Sequence, residues 1–159
     1  MKPVLALALA TCLAATAAAA QPGALQSCPL LANADAALAT GAGTQFLSAR
    51  QGPSGGVTAT YCAFGGEKDR SLTLNAGPLL AASVADYRKM MEPLRQMEKA
   101  TLESGLGEYA YSKLAADAAE ITAAKGKLAV TLELKGKGLA AADLEKLRAV
   151  ARKALAKLP

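Results

Sequence analysis

Thr60-Tyr61-Cys62-Ala63-Phe64 is rich in β-branched and aromatic residues and reads as the second half of a strand running from Val57 to Phe64. Alternate residues of a strand share a face, so Cys62 and Phe64 point one way and Tyr61 the other. An element packed on the Cys62 face would meet a cysteine. Upstream, Cys28 stands in a stretch with helical spacing, Cys28, Leu31, Ala34 and Leu38, between a capping Ser27 and a terminating Gly41. A Cys28 to Cys62 disulfide would therefore pin a first helix to the sheet.

The third cysteine, Cys12, falls in a leader. Met1-Lys2, the apolar run Val4 to Leu13 and the small residues Ala18-Ala19-Ala20 read as the charged, apolar and cleavage regions of an export signal. Residues 1–20 are accordingly assigned to a signal peptide and residues 21–159 to one α+β domain. The apolar run falls short of the roughly 20 residues a membrane helix needs, so no transmembrane segment is expected in the mature chain. Leu9-Ala10-Thr11-Cys12 resembles a lipoprotein signal, but threonine fits poorly before the cysteine. The expected location is periplasmic or secreted, where a disulfide persists.

Outward from the central strand, Thr44 to Arg50 reads as its predecessor, with Gly52-Pro53-Ser54-Gly55-Gly56 as the turn. Leu72 and Leu74 belong to a third strand after the turn Gly65 to Asp69, completing an antiparallel meander closed by Gly77-Pro78. Ser83 and Asp86 form a capping pair for a second helix whose buried face is Val84, Tyr87, Met91 and Leu94, and which Pro93 should kink or end. Met90, Met91 and Met97 read as core filler on that helix. A short strand over Ala100 to Ser104 follows. Ala119, Ile121 and Ala123 lead through Lys125-Gly126 into the clearest strand, where Leu128, Val130, Leu132 and Leu134 alternate with polar residues. Leu144, Leu147, Ala151, Leu155 and Leu158 trace one face of a terminal helix. The expected order is helix, three strands, helix, two to three strands, helix.

Composition removes several function classes. The 159 residues contain no histidine, which excludes imidazole catalysis and ordinary zinc or copper sites, and no metal or cofactor is expected. With no tryptophan and 4% aromatics, a stacking surface for nucleic acid is not expected either. Gly105-Leu106-Gly107-Glu108-Tyr109-Ala110 matches a dinucleotide pattern in form, but no β-α-β context surrounds it, and it reads as a glycine turn entering a strand. Glu103 and Glu108 flank that turn with no spacing that argues for an acid pair, so no catalytic residue is assigned. The cysteines lack the Cys-x-x-Cys spacing of a cycling redox pair and read as structural.

Cys28 on an N-terminal helix, Tyr61-Cys62-Ala63-Phe64, the Gly-Leu-Gly-Glu turn before Tyr109-Ala110-Tyr111 and the Lys125-Gly126 hairpin together resemble small secreted bacterial proteins of unassigned function. The resemblance implies an antiparallel sheet with packed helices, broadly similar to the photosystem-accessory and nuclear-transport-accessory α/β/α sandwiches, and supplies no functional residue. Charge gives the remaining asymmetry: residues 125–159 hold nine Lys/Arg against three acids, a net of +6, whereas residues 21–124 come to −2. Lys146, Lys153 and Lys157 stack on the outer face of the terminal helix, with Lys127 and Lys135 on the adjoining strand. These five form a candidate surface for an anionic lipid, a wall polymer or an acidic envelope protein. The plainer reading is a solvated surface whose late cations complement the helix dipole. The expected function is an exported, non-catalytic binding or interaction module of the envelope. The alternatives are a periplasmic enzyme using carboxylate, serine or tyrosine chemistry, or an inhibitor of an envelope-degrading enzyme, although a net charge of +5 argues against inhibition of basic lysozymes.

Overall fold

The computed structural model describes residues 23–159. The leader and its cleavage site before Gln21 lie outside the described residues. In chain order the elements are β1 (Gly23–Leu25), α1 (Asn33–Thr40), β2 (Gln45–Ser54), β3 (Val57–Gly65), β4 (Ser71–Pro78), α2 (Val84–Met97), β5 (Thr101–Glu103), β6 (Tyr109–Leu114), β7 (Ala118–Lys125), β8 (Leu128–Lys135) and α3 (Ala141–Ala156). The fold is α+β. All eight strands form one antiparallel sheet in the order β1-β2-β3-β4-β8-β7-β6-β5. Two four-strand meanders thus meet at their last strands, β4 and β8, and α2 carries the chain from the middle of the sheet to its far edge.

Register explains the burial. One row crosses the sheet through Ala49, Cys62, Leu74, Leu132, Ile121 and Ser112, all buried, and the next runs through Arg50, Tyr61, Asn75, Thr131, Thr122 and Tyr111. The first row faces α1 and α3, which pack against each other and against β3, β4, β7 and β8 to close the main core. Tyr87 of α2 instead joins Tyr109, Tyr111 and Ala124 in a second cluster on the opposite face, over β6 and β7. Helices therefore cover both faces, and α2 covers only half of its own.

The helices depart from their expected bounds for physical reasons. Cys28 and Pro29 do not start α1; they lie in an irregular segment with Leu30 and Leu31 buried, and the helix begins after Ala32, which offers no capping side chain. The bridge holds Cys28 against β3, outside the helix. The buried face of α1 is Ala36, Ala39 and Thr40, and Leu38 is 46% exposed, because small side chains let the helix end sit close to the β3–β4 hairpin. There Gly66 lies flat against Thr40, where a Cβ would collide with the carbonyl oxygen. Ser83 caps α2 as its spacing predicts, accepting from the Asp86 amide at 3.1 Å. Pro93 does not end that helix, which continues to Met97. Pro93 and Lys89 are both exposed, so water can satisfy the Lys89 carbonyl that a proline amide cannot. Leu94 and Met90 are 43% exposed and Met97 75%; only Met91 of the methionines packs inward, since α2 rests on two strands and buries a narrow stripe.

β2 also runs further than expected, through Gly52-Pro53 to Ser54, and the turn is reduced to Gly55-Gly56, both at positive φ. Pro53 is tolerated because, among the described residues, β1 pairs with Ala49 to Gln51 and none pairs with Pro53 on that side of β2. β1 itself was not expected.

Candidate ligand cavity

Thr60 and Cys62 share the inward face of β3, and the bridge from Cys62 to Cys28, with Cα atoms 5.7 Å apart, draws the following residues over the end of the sheet. Leu30 consequently forms one wall of a cavity of about 690 Å³. Val57, Ala76, Leu128, Leu158 and Pro159 supply most of its remaining apolar lining, with Gln51, Thr58 and Thr60 as polar groups. Leu128 opens β8 and Leu158 follows α3, so the cavity sits where the β7–β8 hairpin meets the end of the terminal helix. Its volume lies within the range of small-molecule sites.

The cavity carries two cationic side chains beside Pro159. Lys125 and Lys127 are its only ionisable side chains. Lys125 donates to the Leu155 carbonyl at 3.1 Å and the Leu158 carbonyl at 3.0 Å, neutralising the negative end of α3 while keeping a third N–H to give. Lys127 stands exposed in the two-residue turn Gly126-Lys127, where glycine's positive φ closes the hairpin.

The five lysines of the basic end do not share one surface. Residues 128, 130, 132 and 134 face α3, so Lys135 lies across the sheet from that helix and pairs with Glu133 at 3.2 Å. It is also on the order of 27 Å along β8 from Lys127. Lys146 pairs with Asp143 at 3.6 Å. Lys153 and Lys157 are exposed on α3, and with Lys127 they take part in no ion pair among the described residues. Only Lys127 of the five lines the cavity. Sequence spacing could not find Leu30, Gln51 or Thr60, which reach the site through the bridge and the strand register.

The acidic and phenolic groups are committed elsewhere. Glu103 is half-buried, with its side chain 8% exposed; burial alone would raise its pKa, but the Arg148 guanidinium, at 2.8 and 2.5 Å, and the Ser112 hydroxyl, at 2.5 Å, outweigh it and hold the carboxyl below its usual range. Glu108 accepts from the Gly126 amide at 2.7 Å and so braces the β7–β8 turn. Asp143 follows the same logic as Glu103: burial pushes it up, and Arg70 with the Ala140 amide brings it below the ordinary value. Glu92 is lowered to about 2 by Arg95 and then Gln96. Tyr87 is pushed up to about 12 by burial and then by Tyr111 and Tyr109, so its phenol stays protonated. Gly107 is required at the turn before β6, since a Cβ there would stand 2.5 Å from the Ala124 carbonyl oxygen. The glycine pattern is thus a strand entry, as read. No group of three or more metal-ligating side chains comes together among the described residues, and none of their helices is long and apolar enough to cross a membrane.

Comparison with known proteins returns no protein-family model, no curated protein and no solved structure that matches the chain.

Proposed function

We propose that the chain is an exported, non-catalytic binding module of the bacterial envelope whose ligand site is the cavity at the end of α3. The observation that carries this reading is the lining itself: an apolar floor with two lysines and no facing acid and base. Glu103, Asp143 and Glu92 favour it further, because each is held ionised by an arginine partner rather than tuned toward proton transfer. Export rests on the leader pattern and on a disulfide that an oxidising compartment maintains.

Native mass spectrometry of the protein purified from its own envelope tests the reading. The expected result is a small-molecule or partner adduct that is released on denaturation. A bare chain that also shows no thermal shift with any fraction of an envelope extract would overturn it.

A further inference from the structure

We propose that the cavity selects a single-chain anionic amphiphile, its tail lying along Leu30, Val57, Ala76, Leu128 and Leu158 and its acid group reaching Lys127 and the free N–H of Lys125. This deepens the binding-module reading and rests on it. The five apolar residues come from five separated parts of the chain and converge on one end of the sheet. A ligand that was polar throughout would leave that floor unused, and a wholly apolar one would make no use of the two lysines beside it. Gln51, Thr58 and Thr60 provide neutral polar groups between floor and rim, suited to the ester or hydroxyl that follows an acid head. Two of the three Lys125 donors already face carbonyl oxygens, so the acid is held chiefly by Lys127. The bridge at Cys28 fixes the Leu30 wall, which makes the tail contact pre-formed rather than induced.

The acid could belong to a free fatty acid or to an anionic lysolipid. Titration calorimetry on the native, processed protein separates them, with dodecanoate and lauroyl-lysophosphatidylglycerol as the two arms, each below its micelle concentration. Methyl dodecanoate is the neutral control. One or both acids should bind at one per chain, with affinity rising about fourfold for each methylene added between eight and twelve carbons. The methyl ester should bind about fivefold more weakly, and Lys127→Glu should erase that preference. Val57→Trp, which places a large side chain in the cavity, should abolish binding while the variant stays folded by circular dichroism. Equal binding of acid and ester, with Lys127→Glu silent, would overturn selection by charge and leave the cavity as a neutral apolar site. If neither acid nor ester binds, the amphiphile is wrong even where the envelope-purified protein carries another adduct.

Discussion

At the start of α3 the Arg70 guanidinium lies 2.8 Å from the Asp143 carboxylate and reaches the Ala39 carbonyl at 3.3 Å, whereas at its end, among the described residues, Lys125 meets only carbonyls and Lys127 is in no ion pair. Both ends have a hollow beside them. The one at the start, about 300 Å³, has four charged side chains in its lining: Arg70 and Lys146 are engaged by Asp143 and Glu67 by the Gly43 amide, while Lys68 is in no ion pair among the described residues. The one at the end that Leu30 walls is larger, with Lys125 and Lys127 as its ionisable side chains; a second hollow at that end, about 390 Å³, shares Lys125 and is lined by Glu108 and Arg152. Charge near a helix terminus can serve cohesion or remain available to a ligand, and the same helix does both. What separates the two is whether the counter-charge is part of the chain.

The largest effect should come from the bridge that both regions depend on. Replacing Cys28 and Cys62 with alanine frees a loop with a sequence separation of 34, for which the chain-entropy relation gives about 4 kcal/mol. The melting temperature should fall by about 10 °C or more, and the cavity, having lost its anchored Leu30 wall, should lose ligand affinity in the protein that remains folded. Two free thiols in native protein, titrated in denaturant, would remove the basis for this prediction.

Next come the charges internal to the fold. Arg70→Met leaves the buried Asp143 without its main partner and should destabilise by about 1–3 kcal/mol in denaturant unfolding. Arg148→Met should do the same through Glu103, and neither should alter ligand affinity at temperatures where the variants are folded. The pH dependence has a fixed sign. Asp143 and Glu103 are held below their unfolded values, so their contribution is present above about pH 4 and is lost as pH falls through the folded values. The wild type should therefore lose stability more steeply than either arginine variant as pH drops below about 4. Parallel acid-unfolding curves for all three proteins would contradict the assignment.

The smallest effect on stability is expected at the binding end. Lys127→Glu changes an exposed turn residue and should shift stability by no more than about 0.5 kcal/mol.

How much of this the residues announce depends on range. The β7–β8 hairpin, the Ser83 cap, the inward face of α3 and the Cys28 to Cys62 pairing are legible because alternation, capping chemistry and cysteine arithmetic act locally or leave one choice. β1 is three residues of Gly-Ala-Leu with no pattern of its own, and it exists only because β2 offers an edge. The start of α1 falls later than the spacing suggests because Pro29 is as acceptable in an irregular segment as in a helix's first turn. Pro93 breaks a rule whose force depends on exposure. The cavity is least legible of all, since Leu30, Thr60, Ala76, Leu128 and Leu158 are brought together by sheet order and not by spacing. Likewise the five lysines look like one surface along the sequence, and the sheet divides them.

The central claim is that the two ends of α3 divide stability from binding. Arg70→Met and Lys127→Glu, each measured for melting temperature and for dodecanoate affinity by calorimetry, test it as a crossed pair. Arg70→Met should lower the melting temperature with affinity unchanged, and Lys127→Glu should lower affinity with the melting temperature unchanged. If Lys127→Glu costs as much stability as Arg70→Met, or leaves dodecanoate binding as it was, the division does not hold.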